Sequence, residues 1–186
     1  LLESIPGTAG VMVPPDGYFE GVREITRKYG ILMITDEVMA GFGRTGEWFA
    51  LDAFDYEPDL ITFAKGCNSG YVPAGGVIFS DEVAHAFDER VFPGGLTYSG
   101  HPLAMASIVA AQEAMEEEGI VANARRVGEK IIRPGLEDLK LRHRHIGDVR
   151  GKGVMWAVEM VSSRDDKHML DAATMAAIHT KAKESG

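Results

Sequence analysis

Hydrophobic positions along this chain follow two alternating patterns. Phe19, Val22, Ile25 and Tyr29 recur at helical spacing after Asp16-Gly17, predicting a helix over 18–29 that Gly30 ends. Ile31-Leu32-Met33-Ile34-Thr35 is then an unbroken apolar run, the pattern of a strand covered on both faces, and Asp36 stands at its end. A glycine-rich, aromatic stretch reaches Pro58 with weak helical spacing over 48–54. Leu60-Ile61-Thr62-Phe63-Ala64 predicts a second buried strand with Lys65 at its end, 75–80 a third, and 81–87 a short capped helix. Helical spacing returns over 103–118 and again over 121–141, where Pro134-Gly135 should kink or interrupt the second helix. Two short strands over 148–152 and 154–161 and a helix over 170–183 complete the pattern.

Apolar strands joined by crossovers are the grammar of an open α/β sheet, here expected to be mostly parallel with flanking helices. The change of character within the long helical stretch puts the expected domain boundary at 118/119, with 1–118 in one domain and 119–186 opening a smaller α/β domain. Leu1-Leu2-Glu3 reads as a strand already under way, and the last helix stops at Gly186 with no following element. The chain is therefore expected to be an internal piece of a longer polypeptide.

In open α/β sheets ligands collect outside the carboxyl ends of the strands, which makes Asp36 and Lys65 expected neighbours. Burying a lysine ammonium is costly unless its pKa falls, and a neutral amine is what attacks a carbonyl to form a Schiff base. Pyridoxal 5'-phosphate supplies such a carbonyl, and a carboxylate such as Asp36 can hold the proton on its pyridine nitrogen. The freed Lys65 amine could then carry a proton as general base and acid. On pattern alone, a strand-end lysine is more often a snorkelling surface side chain and a strand-end aspartate more often a turn former.

The local sequences favour the chemical reading. Asp36-Glu37-Val38-Met39-Ala40-Gly41-Phe42-Gly43-Arg44-Thr45-Gly46, Phe63-Ala64-Lys65-Gly66 and Thr97-Tyr98-Ser99-Gly100-His101-Pro102 resemble, in order, three signatures of the class III (omega) pyridoxal-phosphate aminotransferases. Pro14-Pro15-Asp16-Gly17-Tyr18-Phe19 and Arg150-Gly151-Lys152-Gly153 also match that family. The resemblance runs from Glu3 to about Val161. It implies the fold-type-I architecture of pyridoxal-phosphate transferases, with 1–118 the second half of the cofactor-binding large domain and 119–186 the start of the small one. It also implies residue roles: Lys65 as Schiff-base lysine, Asp36 as partner of the pyridine nitrogen, Val38 against the ring face. Thr97 would bind the cofactor phosphate in the neighbouring subunit's site, so a homodimer is implied. Glu3 matches a Glu-Pro segment of the family but is followed here by Ser4. Arg44 reads as structural.

The implied reaction is ping-pong transfer of an amino group from an omega-amino acid or amine to a keto acid such as pyruvate. Aminomutases, racemases and decarboxylases of the same family share Asp, Lys and Thr. Many relatives carry Gln after Asp-Glu-Val, and Met39 cannot hydrogen-bond as Gln does. The phosphate-binding serine and glycine, the aromatic that stacks on the cofactor and the arginine that grips a substrate carboxylate in this family fall outside the chain, which alone is expected to catalyse little.

Composition narrows the alternatives. A formal net charge of −9 gives no basic stripe for a nucleic-acid backbone. The single Cys67 rules out an internal disulfide and fits a cytoplasmic, reducing compartment. No apolar run reaches the ~20 residues that span a bilayer. Gly41-Phe42-Gly43-Arg44-Thr45-Gly46 satisfies G-x-G-x-x-G, yet the first glycine does not follow the strand directly and no helix opens at the last. A nucleotide-hydrolysing site would need G-x-x-x-x-G-K-[ST], which this chain lacks. His143 and His145 diverge on a helix, His101 reads as a structural hydrogen-bonder, and Cys67 as a packed thiol; no metal site is expected. A catalytically silent scaffold is the non-enzyme alternative.

Overall fold

A computed structural model describes residues 1–185; Gly186, where the last helix was expected to stop, lies outside the described residues. Strands β1 (Leu2–Glu3), β2 (Ile34–Asp36), β3 (Leu60–Ala64) and β4 (Gly75–Phe79) form one sheet in that order. The first three are parallel, and β4 runs antiparallel to β3. The segment between β3 and β4 is too short for the crossover helix that a parallel return requires.

Residues 33 to 37 alternate strictly. Met33, Thr35 and Glu37 are buried while Ile34 and Asp36 are half-buried, so the two sets face opposite sides of the sheet. Helix α1 (Tyr18–Lys28) covers the Met33 side. Its Phe19 ring stacks on Tyr56 at 4.2 Å, with Leu2, Val22, Leu51 and Phe54 packed around the pair. The helix uses a narrower apolar stripe than its spacing predicts, for Ile25 and Tyr29 are exposed.

The predicted strand over 31–35 is shorter and shifted, and Ile31 and Leu32 are exposed rather than covered. Two local bonds account for this. Gly30 adopts φ 63° and the Ile31 N–H returns to the Thr26 carbonyl at 2.8 Å, so Ile31 closes the helix. The Met33 N–H is taken by the Asp59 carboxylate at 2.6 Å instead of by a sheet neighbour. The same carboxylate receives both terminal nitrogens of Arg23 at 2.7 Å, tying α1 to the sheet through an almost fully buried ion pair.

A second buried carboxylate fixes the far end of β2. Glu37 is wholly buried; its Oε1 accepts from Ser4 Oγ at 2.7 Å and from the Leu51 N–H at 2.9 Å. Its Oε2 accepts from the Ala50 N–H at 2.9 Å. Those two amides begin the 3-10 turn Ala50–Ala53, whose first N–H groups have no partner of their own within the turn. Tyr56 Oη bridges Ser4 Oγ at 3.0 Å and Thr35 Oγ1 at 3.1 Å, extending the network back along β2. Burial pushes the Glu37 carboxyl above its ordinary range, and the Ser4, Ala50 and Leu51 donors pull it back.

The short predicted helix after β4 is α2 (Asp81–His85), and the first long one is α3 (Pro102–Glu117). The second long helix divides into α4 (Ile120–Val127), a π-turn (Gly128–Ile132) and α5 (Arg133–Arg142). Pro134 sits in the first turn of α5, where its missing N–H is tolerated and the widened turn before it absorbs its ring. Strands β5 (Ile146–Lys152) and β6 (Met155–Met160) pair as an antiparallel hairpin, and α6 (Ala172–Glu184) follows. The hairpin tip docks on the glycine-rich loop through the Val154 N–H, which donates to Arg44 O at 2.9 Å. Gly153, at φ 57°, lies so close to the Thr45–Gly46 peptide that a Cβ there would overlap it.

Two substitutions test these anchors in the full-length protein carrying this chain. Asp59→Asn should cost about 2–3 kcal/mol of unfolding free energy at neutral pH, from charged hydrogen bonds lost at a buried pair. The hydrogen bond from Arg23 holds the Asp59 carboxyl below its usual range. That contribution is present above the unfolded Asp pKa and is lost as pH falls through the lower native value, so the variant's deficit should shrink in acid. Urea titrations at pH 7 and pH 3 measure both; a constant deficit would contradict the pair's role. In Glu37→Gln, whichever way the amide turns, its NH2 must face a backbone N–H, so Gln should cost about 1–3 kcal/mol. A Glu37→Gln protein as stable as wild type in the same titration would show that the clamp does not depend on an acceptor at both oxygens.

Candidate active site

The carboxyl ends of β1, β2 and β3 share one edge of the sheet, because the three strands are parallel and in register. Glu3, Asp36 and Thr62 are register partners and form a single row on one face, the side away from α1. Asp36 ends β2. Its Oδ1 accepts from the Val38 N–H at 2.8 Å, an Asx turn that bends the chain out of the sheet and leaves Asp36 and Val38 half-buried.

Lys65 follows β3 directly, three residues beyond the partner of Asp36. It opens the 3-10 turn Lys65–Asn68 with φ 46°, the left-handed region that a long side chain rarely enters. Such a conformation costs on the order of 1–3 kcal/mol and persists only where the surroundings impose it. They do so here. A Cβ on Gly66 would meet Phe42 Cβ at 2.8 Å, so the turn presses against the glycine-rich loop. Asn68, buried, donates to Val72 O at 2.6 Å and to Ser107 Oγ at 3.0 Å, fastening the turn to α3. Lys65 itself is exposed, so the burial expected around its ammonium is not provided by the described residues.

Arg44 is structural, as its position suggested. Its Nε donates to Met39 O at 2.6 Å and Nη2 to Val38 O at 3.1 Å, so the guanidinium pins the segment just after Asp36. Burial lowers its pKa and the Glu37 charge raises it. A Cβ on Gly7 would meet the Met39 thioether, at 3.2 Å from its sulfur. His101 Nδ1 caps α3 by accepting from the Leu103 N–H at 3.2 Å, and Cys67 is a fully buried thiol whose pKa burial pushes up. Glu3 Oε2 accepts from the Gly7 N–H at 3.3 Å.

Asp36, Val38 and Lys65 are thus gathered at one edge. Thr97 is not: it lies in an exposed turn, and no hydrogen bond among the described residues joins it to them. Sequence reasoning missed the roles of Glu37 and Asn68, which position the site without touching its open face. The alternation that places Glu37 opposite Asp36 was masked by the continuous apolar run before them; nothing local marked Asn68 as buried.

The arrangement pairs a carboxylate with an amine on an accessible edge, a set suited to holding a protonated ring nitrogen and moving a proton. Pyridoxal 5'-phosphate fits this donor set: one Asp36 oxygen is not engaged by the described residues, and the Lys65 amine is accessible.

The family described as Aminotransferase class-III matches residues 1–186. A taurine–pyruvate aminotransferase of Bilophila wadsworthia is 36% identical over 192 aligned residues, covering 100% of this chain and 42% of that protein. An alanine/serine racemase of Pyrococcus horikoshii is 41% identical over 169 residues, covering 90% and 35%. Among solved structures, taurine:2-oxoglutarate aminotransferase from Bifidobacterium kashiwanohense, in complex with PLP and glutamate, superposes with a TM-score of 0.93 at 44% identity, covering 98% of this chain and 42% of that one. The chain therefore spans about two fifths of the length of the relatives it matches. With a fold of this likeness and a family match along its whole length, the chain belongs to the class III aminotransferases, a family built around pyridoxal phosphate.

Proposed function

We propose that the protein carrying this chain is an aminotransferase that moves an amino group from an omega-amino acid or amine to a keto acid such as pyruvate. The observation that carries the reading is that Asp36 and Lys65 stand at the carboxyl ends of adjacent parallel strands, with Lys65 held in a strained left-handed turn. Relatives acting on taurine with pyruvate or 2-oxoglutarate support the substrate class. In this reading, residues 1–118 form the second half of the large domain and 119–186 begin the small one.

Pyridoxal 5'-phosphate, when bound, supplies an aldehyde carbonyl and an electron-withdrawing ring. Asp36 would hold the proton on the ring nitrogen, and so keep the ring electron-poor. Val38, next along the bent segment, packs on the ring face. Lys65 would hold the cofactor covalently through its Nζ, and the freed amine would serve as the base and acid that carries a proton to and from the substrate carbon. The order expected of such a site would be ping-pong, with the donor product leaving before the keto acid binds. Thr97, exposed in its own chain, donates its hydroxyl to the cofactor phosphate in the site of a second copy. The compartment that fits the single reduced cysteine is the cytoplasm.

The racemase among the relatives favours one other reading, inversion of an amino acid without net nitrogen transfer. Coupled assays separate the two: transamination yields a new amino acid from pyruvate, racemisation only the mirror image of the donor.

Borohydride reduction of the full-length protein loaded with pyridoxal 5'-phosphate, followed by peptide mapping, should give one adduct on Lys65 and none in Lys65→Ala. Asp36→Asn should weaken cofactor binding on the order of tenfold or more and nearly abolish turnover; retained turnover would count against the assignment. Mixed dimers test Thr97. Co-purified Lys65→Ala and Thr97→Ala subunits should recover one intact site per hybrid if Thr97 serves the neighbouring site. No recovery above the parent homodimers would place Thr97 in its own subunit's site, or in none.

A further inference from the structure

Thr62 sits in the middle of β3, and its buried Oγ1 has no hydrogen-bond partner among the described residues. Buried hydroxyls are nearly always paired, so an orphan calls for an explanation. Its register partner on β2 is Asp36. Partners in parallel strands project on the same face, and their strands lie about 4.8 Å apart. The hydroxyl and the carboxylate are therefore lateral neighbours.

Their bonding needs are complementary. Asp36 accepts the Val38 N–H through Oδ1, and its Oδ2 accepts from no described residue. An ionised carboxylate has room for two acceptor bonds on each oxygen, while Thr62 has one proton to give. Rotation about the threonine χ1 swings that proton between staggered positions without moving the strand.

We propose that Thr62 is a positioning residue for Asp36: its hydroxyl donates to the carboxylate and fixes its plane as Asp36 engages the ring nitrogen of the cofactor. This rests on the role assigned to Asp36 above. A carboxylate held by the Val38 N–H at one oxygen alone can still pivot about that bond. A second donor on the neighbouring strand removes the freedom, as outer partners do for ligating side chains.

The proposal gives opposite signs in two states. Without cofactor, replacing an unpaired buried hydroxyl by an isosteric methyl costs nothing and removes an unsatisfied group, so Thr62→Val should melt at or above the wild-type temperature. With cofactor, the same change deletes a donor to a charged acceptor, so the dissociation constant should rise about three- to tenfold. Thr62→Ser keeps the donor and should bind within about twofold of wild type.

The experiment uses the full-length protein stripped of cofactor, with melting temperature and pyridoxal 5'-phosphate dissociation constant measured for wild type, Thr62→Val, Thr62→Ser, Asp36→Asn and the double variant that combines Thr62→Val with Asp36→Asn. The expected result is weakened binding in Thr62→Val, rescue by Ser, no loss of apo stability, and no further effect of Thr62→Val once Asp36→Asn is present. Unchanged binding by Thr62→Val alongside weakened binding by Asp36→Asn overturns the Thr62 proposal and leaves the role of Asp36 standing. Unchanged binding by Asp36→Asn overturns both. A lowered apo melting temperature with unchanged binding assigns the hydroxyl to the fold and overturns the proposal.

Discussion

The edge where Asp36 and Lys65 meet depends on a carboxylate that faces the other way. Glu37 is buried with no cation bonded to it among the described residues, and it survives there because Ser4, Ala50 and Leu51 all donate to it. These donors come from two distant parts of the path: the segment after β1, and the two opening amides of a 3-10 turn. One side chain therefore joins three pieces of chain, of which only the β1 and β2 segments share a backbone ladder. Since Glu37 adjoins Asp36 and strand alternation points them to opposite faces, whatever fixes Glu37 fixes the direction of Asp36. The ion pair of Arg23 with Asp59 does the equivalent work at the other end of β2, so the strand that carries the site is pinned at both ends by buried acceptors.

The same economy holds for Lys65. Its left-handed turn is not stabilised by its own side chain but by what surrounds it: Phe42 against Gly66, and Asn68 bonded across to Ser107 on α3. The glycine-rich loop that supplies Phe42 is itself held by Arg44 to the backbone of Val38 and Met39. The tip of the β5–β6 hairpin closes over that loop, where only glycine fits at position 153. Residues distant in sequence thus converge on the two short segments that follow Asp36 and Lys65, and strain at Lys65 is maintained by packing that is spread widely.

Much of this was legible. The apolar runs ending in Asp36 and Lys65 indicated parallel strands with both residues at carboxyl ends, and the proline at 134 pointed to an irregularity that the structure places just before it, in the π-turn Gly128–Ile132. What sequence could not show was which side of a uniformly apolar strand is the covered one. Met33 and Ile34 look alike as letters, yet one is buried against α1 and the other half-buried on the site face. Ile31 and Leu32 read as strand and serve instead as helix closure and exposed connection, because a single return bond to Thr26 outcompetes the ladder. The antiparallel return of β4 was legible instead in the short connection after β3, whose length, not the composition of the strand, decides its direction.

The exposure of Lys65 bears directly on the chemistry proposed for it. Proton transfer at a substrate carbon by a lysine amine requires that water be kept from the reacting atoms. The described residues leave Lys65 and Thr97 open, and they leave apolar side chains open as well: Val77, Ile78 and Phe79 on β4, Leu96 and Tyr98 beside Thr97. Exposed apolar surface of this kind is covered in a whole protein, by other parts of the same subunit or by a second copy. The turn proposed to reach the neighbouring site is flanked by two of these exposed apolar side chains, Leu96 and Tyr98. In the proposed enzyme, association would bring the Thr97 hydroxyl to the phosphate, and closing solvent off from the lysine would fall to association together with the rest of the subunit.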